Sequence, residues 1–283
     1  MALTIIDPDY IPSEAVRLTG LGIQTDPFAT VLGGAASLYD FIRPDAPDSI
    51  LGSGVSGGAP IQGLIAGEVP GVTGSDFSDI NANKGLVFDS AKIMRLGPTT
   101  DVVNNPWNLR SHGDYASILM EHWLTLDVTP GTGTQDAVMG FAYQTSNNHQ
   151  WGFILNQVTG VLTFRVNAGS QNIDVSALRG IPLHIVVAAQ RVSPTATTFI
   201  ARCWINEVLR ATRPETAYPF FDATATDSSV RPSVGFAGGG FGTGFRGIYH
   251  RGGITKIPQD FSDAQIASWI SERYSAINPI LAI

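Results

Sequence analysis

A glycine-rich segment near the C-terminus is the first part of the chain that could carry out chemistry. Residues 238–254 read GGGFGTGFRGIYHRGGI, and GTGFRG at 242–247 matches the G-x-G-x-x-G pattern of dinucleotide-binding loops. Such a loop must follow a strand and open a helix, because that helix N-terminus binds the pyrophosphate. The following IYHRGGITKIP has two adjacent glycines and a proline, which disfavour a helix. We therefore predict a turn into a final strand, anchored by Phe245, and leave the face taken by His250 open.

The carboxylates offer no pair suited to glycoside hydrolysis. That reaction needs two of them, one as acid and one as nucleophile or base. Of six glutamates, only Glu121 lies inside a predicted strand. Asp127 shares its alternation, but the two are about 20 Å apart at about 3.3 Å per residue. Because this separation exceeds both hydrolytic geometries, no catalytic residue is predicted.

The five histidines do not form a recognisable metal set. None are spaced i, i+2 or i, i+4; they lie at positions 112, 122, 149, 184 and 250. His184, within an apolar run, is predicted to be a satisfied core group, and the same interpretation is open for His122. No cofactor is predicted. Calcium bound by backbone carbonyls and loop aspartates such as Asp76, Asp79 or Asp89 stays open, although such residues are more often solvated.

A polar loop offers the side chains that sugar recognition uses. A pyranose needs an aromatic platform, together with amides or arginine for its hydroxyls. Residues 143–151, YQTSNNHQW, supply these types, and a second exposed aromatic is expected in NNPWNLR. The W-x-F-x-L alternation instead predicts that Trp151 is core, and a merely polar hairpin is the competing interpretation. The predicted carbohydrate contacts are Tyr143, Asn147, Asn148, His149 and Trp107.

The elements that must position these residues are mostly short strands. Apolar alternation or continuous apolar runs predict them at 37–42, 84–96, 117–128, 150–155, 161–166, 182–190, 197–211 and 231–238. The segment 84–96 divides at a turn around Asp89–Ser90, and Asn206–Glu207 is predicted to be a two-residue hairpin turn. Residues 44–83 read as loop.

One helix is predicted, over residues 262–277. Ser262 and Gln265 form a capping box, and Phe261 with Ile266 fits the hydrophobic staple. The apolar residues that follow keep helical spacing, so one face should dock on the sheet. The tail NPILAI is apolar, and we expect it to pack against this chain or a neighbour.

The order of these pieces resembles the concanavalin A-like lectin/glucanase fold in its laminin-G-like branch. The resemblance covers roughly residues 36–275 and rests on LYDF, GLVFDSAKIMRL, SILMEHWLTLDV, WGFILNQVTGVLTFRV and a last strand followed by a helix. It implies an all-β, antiparallel jelly-roll β-sandwich with one short C-terminal helix. The glucanases of this fold carry E-x-D-x-x-E on one strand, which is absent here. Residues 1–35 are predicted to be an N-terminal attachment arm and 36–283 the sandwich.

Composition narrows the classes of partner. The net charge of −7 and the lack of any Lys/Arg run disfavour nucleic acid. The first residues, MALTIIDPDYIP, have neither a basic region nor a long apolar core, so no secretory signal is predicted. No segment of the first quarter is predicted to enter a membrane, because its longest uncharged stretch is glycine-rich. Cys203 is the single cysteine, so no internal disulfide can form.

Lectin-like sandwiches usually act outside the cell, yet no secretory signal is predicted here. A phage virion protein would resolve this conflict, because lysis releases the particle without secretion. We predict a non-catalytic virion structural or adhesion protein of a bacteriophage, in the tail or at the capsid surface. Its expected partners are other virion proteins, host-surface carbohydrate and further copies of itself in a homo-oligomer. Two alternatives stay open: a polysaccharide-active glycosidase or lyase, and a purely architectural decoration protein.

Overall fold

The structure is a computed structural model that describes most of the predicted sandwich. The described residues are 37–42, 54–57, 60–61, 71–78, 80–98, 103–113, 116–142, 149–167, 169–217, 231–236, 241 and 244–281. The predicted arm, 1–35, lies outside them. All that follows concerns this part of the chain.

Seventeen strands and two α-helices make up the described fold. The strands are β1 (Ser37–Asp40), β2 (Gly54–Val55), β3 (Pro60–Ile61), β4 (Gly71–Thr73), β5 (Phe77–Ser78), β6 (Leu86–Asp89), β7 (Met94–Arg95), β8 (Ile118–Leu126), β9 (Asp136–Ala142), β10 (His149–Asn156), β11 (Val161–Asn167), β12 (Gly169–Asp174), β13 (Pro182–Arg191), β14 (Thr198–Ile205), β15 (Val208–Ala217), β16 (Ser233–Val234) and β17 (Arg246–Lys256). The helices are α1 (Ile80–Asn83) and α2 (Asp263–Leu281).

The strands form two large antiparallel sheets. A seven-stranded sheet has the order β1–β17–β8–β13–β14–β15, with β6 also paired to β17. An eight-stranded sheet has the order β12–β11–β10–β9–β16–β7–β4–β3, and β2 pairs with β5 separately. The predicted all-β, antiparallel sandwich is therefore confirmed.

The main core lies between the two large sheets. Alternation on β8 and β10 sends one set of side chains into a shared apolar cluster, as predicted: Ile118, Met120, Leu124, Leu126, Trp151, Phe153 and Leu155. Cys203 of β14 belongs to the same cluster, and burial raises the pKa of its thiol. β13 is buried on both faces, because α2 covers its other side.

The glycine motif enters a strand. β17 begins at Arg246, directly after the motif's Phe245, so no helix N-terminus is available for a pyrophosphate. Phe245 is 1% exposed, which confirms its predicted anchoring role. Gly247 has φ +150, and a Cβ there would lie 2.1 Å from the Thr125 carbonyl oxygen of β8. The glycine thus permits close strand pairing.

Two local predictions are confirmed in detail. Asn206 and Glu207 have φ of 47° and 68°, the left-handed pair that a type I′ hairpin turn requires. At the start of α2, the backbone N–H of Ser262 donates to Gln265 Oε1 at 2.8 Å, and the Gln265 N–H donates to Ser262 Oγ at 3.3 Å. Phe261 and Ile266 pack in one cluster, as a hydrophobic staple requires.

Other boundaries differ from the predictions. α2 continues to Leu281 rather than ending at 277, because Ile277 and Leu281 pack with Trp123 and so extend its docked face. The tail therefore packs, at least through Leu281, on its own chain. β16 covers only two residues of the predicted 231–238. The segment 44–83, predicted to be loop, contains β2 to β5 and the whole of α1.

Candidate functional site

A compact group of buried ionisable side chains lies between the seven-stranded sheet and α2. We call it the core charge cluster; its members are Asp40, Glu121, His184, Arg251 and Arg273, none more than 6% exposed. Arg273 of α2 donates to both Glu121 oxygens, from Nε at 3.1 Å and Nη2 at 3.2 Å. Arg251 of β17 donates to Glu121 Oε2 at 3.4 Å and forms an ion pair with Asp40.

Electrostatics keep Glu121 ionised. Burial alone would raise its pKa, but Arg273, His184 and Arg251 outweigh burial and hold the pKa well below its usual value. Burial lowers the pKa of His184 despite the opposing pull of Glu121. Neutral His184 therefore donates from Nε2 to Glu121 at 3.0 Å. Two carboxylates then balance two guanidinium groups, and Glu121 is unavailable as a catalytic acid or base.

His122 lies in the main core, on the other face of β8. Its ring centroid is 5.4 Å from that of Trp107 and 5.6 Å from that of Trp151, and its Nδ1 lies 3.1 Å from the Tyr249 hydroxyl. Burial lowers its pKa to about 3. Its Nε2 has no hydrogen-bond partner in the described part of the chain. The expectation of a core histidine is confirmed, but only one ring nitrogen is hydrogen-bonded.

His250 is also removed from solvent. Its Nδ1 lies 2.7 Å from the Lys84 carbonyl oxygen and its Nε2 lies 2.9 Å from Thr125 Oγ1. Burial lowers its pKa to about 4. The face that the sequence left open is therefore the one that Thr125 of β8 also occupies, where His250 is a neutral structural group, 4% exposed.

Trp107 is wholly buried, so the prediction of an exposed aromatic there is wrong. Its Nε1 donates to Ser37 Oγ at 2.8 Å, and its ring stacks on Tyr39. Its segment can enter the core because side chains satisfy its backbone. The Trp107 N–H donates to Asn105 Oδ1 at 2.8 Å, and the Leu109 N–H donates to Gln150 Oε1 at the same distance.

The predicted contact loop is described only at its end. Tyr143, Asn147 and Asn148 lie outside the described residues, so sugar contact by them stays a prediction. His149 is wholly buried and packs its ring on Phe241, with centroids 5.1 Å apart. In this structure His149 therefore supports a neighbouring aromatic and presents no surface to a ligand.

A second group of candidate side chains lies on the outer face of the eight-stranded sheet, where the alternation of β11 places them. Leu162, Phe164 and Val166 enter the core, so Thr163 and Arg165 point outward. Across the sheet, Thr163 lies opposite Asn172 of β12 and Ile154 of β10. Thr163 Oγ1 donates to Asn172 Oδ1 at 2.9 Å, which orients both side chains.

A cavity of about 270 Å³ opens on this face, and we call it the outer-face pocket. Ile154 and Phe241 give it apolar surface, and Arg165 gives it a cation. Hydroxyl and amide side chains supply the remaining polar groups: Thr134, Gln135, Asn156, Thr159, Thr163 and Asn172. Asn156, Thr163 and Asn172 stand on paired strands, so this part of the lining is held in place before any ligand arrives.

Phe241 and Arg165 form one wall of the pocket. The Arg165 guanidinium carbon lies 4.9 Å from the centroid of the Phe241 ring. Phe241 is 7% exposed and packs on Ala137 and Ile154. Partial burial lowers the pKa of Arg165, and its Nε has no hydrogen-bond partner within the described ranges.

The described pocket lining contains no carboxylate. The closest acidic residues on these strands are Asp136 of β9, whose pKa burial raises, and Asp174 of β12, whose pKa is lowered by its hydrogen bonds with Ser176. β10 and β11 separate the two, so three interstrand steps of about 4.8 Å place their backbones about 14 Å apart. Hydrolytic pairs are about 5–9.5 Å apart.

A second cavity, of about 240 Å³, lies near the start of α2. Its arginines are already engaged by protein groups. Arg202 Nε lies 3.2 Å from Asp263 Oδ2, and Arg191 Nε donates to the Ala196 carbonyl at 2.8 Å. This cavity therefore lacks the uncompensated guanidinium of the outer-face pocket.

The described residues hold no group of three or more His, Cys, Asp or Glu side chains placed to bind a metal ion. Of the aspartates considered for calcium, Asp76 accepts the Gly57 N–H at 2.6 Å, and Asp89 lies 3.6 Å from Lys92 Nζ. Asp79 lies outside the described part. Neither of the two described helices is both long and apolar enough to span a membrane.

Comparison with known proteins gives similarities to solved structures alone. No protein-family model and no curated protein matches the chain. Trypanosoma rangeli sialidase is similar with a TM-score of 0.48 and 10% identity, over 78% of this chain and 32% of that one. A mutant NanB sialidase from Streptococcus pneumoniae is similar with a TM-score of 0.43 and 10% identity. The match covers 65% of this chain and 27% of that one.

A smaller sialidase module is also similar. The CBM40 of Ruminococcus gnavus IT-sialidase, bound to α2,3-sialyllactose, has a TM-score of 0.38 and 13% identity, over 66% of this chain and 92% of that one. This chain thus spans only about a quarter to a third of the two sialidases. These likenesses go no further than the fold.

Sequence reasoning did not find the residues that form the outer-face pocket. An outward position for Arg165 follows from the alternation of VLTFRV, and that signal was available. Phe241 lies in a glycine-rich segment without periodicity, so nothing local indicated its contact with Arg165. β9 and β12 complete the face, and neither was predicted. A glycine interrupts the apolar residues of β9, and β12 consists mostly of polar residues.

Proposed function

We propose that the protein is a lectin-like, non-catalytic carbohydrate-binding protein whose site is the outer-face pocket. One observation carries the proposal: hydroxyls, amides and a guanidinium surround apolar surface in a single cavity. Sugars present the same combination, since hydroxyl groups ring an apolar face. Apolar walls with a few placed polar groups are the general arrangement of small-ligand sites.

The positions of the carboxylates support the non-catalytic part of the proposal. The backbones of Asp136 and Asp174 are three interstrand steps apart, about 14 Å, which exceeds the carboxyl separation of about 5–9.5 Å in glycosidase pairs. Glu121, the glutamate predicted inside a strand, is wholly buried and fully paired in the core charge cluster. Binding, rather than bond cleavage, is the chemistry that the described lining can perform.

We extend the proposal to the setting that the sequence predicts. There the sandwich belongs to a phage virion protein, attached through residues 1–35, and the outer-face pocket recognises carbohydrate of the host surface. A check is to incubate purified particles with the glycan that the isolated protein binds. Competition with adsorption is expected, and unchanged adsorption at saturating glycan would remove the adhesion role.

A glycan array with the full chain tests the binding proposal. We expect wild type to retain at least one glycan, and the Thr163→Val/Asn172→Ala double variant to bind it about 10-fold more weakly, because two hydrogen bonds are lost. Thr212→Val, at an exposed position of β15, is the matched control and should bind as wild type does. Retention of no glycan, or full retention by the double variant, would overturn the proposed site.

Two further measurements separate the remaining interpretations. Tyr143→Ala/Asn147→Ala tests the predicted contact loop: weaker binding would show that the loop extends the site, and unchanged binding would remove it. Reducing-end release from the retained glycan tests catalysis. Release by wild type but not by Asp136→Asn would replace the binding proposal with the glycosidase alternative.

A further inference from the structure

Arg165 is a guanidinium for which the described part of the chain provides no counterion. No carboxylate forms an ion pair with it in the described part of the chain, and its Nε is buried without an acceptor. Arg251 and Arg273, by contrast, are neutralised by Asp40 and Glu121. A partly desolvated cation that lacks an acid in the protein is costly to keep, so its missing partner is expected in a ligand.

The geometry of Arg165 is fixed by its surroundings. The guanidinium lies over the Phe241 ring, and the same ring packs against His149. The stem leaves β11 between Ser170 of β12 and Gly152 of β10, its register neighbours. Neither register neighbour is acidic, so β10 and β12 place no counterion directly beside the stem. A guanidinium held in this way is pre-organised to donate in parallel to two oxygens.

We propose that the outer-face pocket binds acidic saccharides and that Arg165 donates to the carboxylate of the sugar. The inference rests on the proposed function and adds the ligand class. A carboxylate matches the planar fork of a guanidinium with two coplanar oxygens. Thr163 and Asn172, opposite each other one step along the face, are placed for the hydroxyls of the same ring.

The charge of the whole chain makes this assignment more specific. The protein has a net charge of −7, so no general positive field attracts polyanions to it. Preference for an acidic sugar must therefore come from contact with Arg165, and one substitution should remove it. A sulfated sugar would satisfy the charge but not the planar geometry, so it serves as the competing ligand in the test.

The experiment compares saccharides that differ only in charge. Full-length protein is titrated calorimetrically at pH 7 with oligogalacturonides and their methyl esters, with sialylated and desialylated oligosaccharides, and with sulfated and unsulfated dextran oligomers. For at least one carboxylate pair we expect the acidic member to bind about 10- to 100-fold more tightly, as charge-assisted hydrogen bonds allow. Arg165→Gln should abolish that preference, so that the acidic member binds no more tightly than its neutral counterpart.

Two further variants complete the test. Arg165→Lys keeps the charge but loses the fork, and it should retain only part of the preference. Arg210→Gln removes an exposed arginine of β15 and should behave as wild type. Equal affinity within every carboxylate pair, a stronger preference for sulfate, or a preference that survives Arg165→Gln would overturn the inference. Binding of no saccharide, charged or neutral, would instead overturn the proposed function.

Discussion

The core charge cluster and the outer-face pocket use the same side chain in opposite ways. Arg251 and Arg273 are wholly buried, and carboxylates of the same chain neutralise them. Arg165 is only partly buried, rests on an aromatic ring and has no acid beside it among the described residues. The first arrangement fixes α2 to the seven-stranded sheet, whereas the second leaves a cation ready for something outside the chain.

The difference shows how to separate structural from functional charges. A buried ion pair is completed by the protein itself, and removing one partner leaves an uncompensated charge in a region without water. A cation that lines a cavity without an ion-pair partner adds little to the fold, so its substitution should affect binding far more than stability. The two regions can therefore be distinguished by matched substitutions.

The largest expected effect comes from Arg273→Met. Glu121 would keep Arg251 and His184 but lose its bidentate partner, and we expect the free energy of unfolding to fall by about 3–5 kcal/mol. Arg165→Met, the same change in the outer-face pocket, removes only the cation–π contact with Phe241 and should alter it by no more than about 1 kcal/mol. Urea unfolding of wild type and both variants measures these changes in the free energy of unfolding. Equal losses at the two positions would contradict the distinction.

Ligand-linked stabilisation is the next largest effect. An acidic saccharide at about 100 times its dissociation constant should raise the free energy of unfolding of wild type by about 2.7 kcal/mol. Arg273→Met, on the far side of the other sheet, should gain the same amount, because distant sites act additively. Arg165→Met should gain less. A smaller gain in Arg273→Met would show that the two regions are coupled.

Acid should lower the free energy of unfolding through the buried His122, at pH values where the charge of Arg165 in the outer-face pocket does not change. The pKa of His122 is about 3 in the folded protein against an ordinary 6.5, so the unfolded chain binds a proton that the folded chain excludes. Stability is therefore lost as the pH falls from 6.5 towards 3, by about 1.4 kcal/mol per pH unit for this group. His122→Phe removes the titrating ring, and its unfolding free energy should depend less on pH.

The control for that titration comes from the other region. Arginine stays charged throughout this range, so Arg165→Met should keep the wild-type dependence of stability on pH. Urea midpoints at several values between pH 7 and pH 4.5 are sufficient to compare the three proteins. A wild-type slope in His122→Phe would assign the acid sensitivity to other buried groups.

The smallest expected effect follows from Phe241→Leu. Leucine keeps apolar cover over Ala137 and Ile154 but removes the aromatic face under Arg165. The loss of the cation–π contact should change stability by about 0.5–1 kcal/mol and reduce the preference for an acidic saccharide by only a few-fold. If the preference disappears completely, Phe241 contacts the ligand itself.

Local rules explain which parts of the fold could be predicted. The alternation of β8 and β10, the Asn206–Glu207 turn and the Ser262 cap all follow from residues close together in sequence. The core charge cluster instead joins positions 40, 121, 184, 251 and 273, which only the sheet order brings together. The helical spacing of Arg273 indicated a docked face but could not identify Glu121 as its partner.

The candidate site was predicted less well for a similar reason. Burial of Trp107 depends on Asn105 and Gln150, which satisfy the backbone of its loop, and a polar loop sequence does not show this in advance. Arg165 could be assigned to an outward face. Its neighbours across the sheet and the approach of Phe241 are tertiary contacts, so the pocket itself was not predictable.

The single thiol of the chain follows from the packing of the seven-stranded sheet and has a practical use. Cys203 is wholly buried, and its raised pKa keeps it in the unreactive thiol form. Alkylation can therefore proceed only when β14 separates from its neighbours. The labelling rate reports opening of the sheet that carries the core charge cluster, with one signal per molecule and no engineered probe.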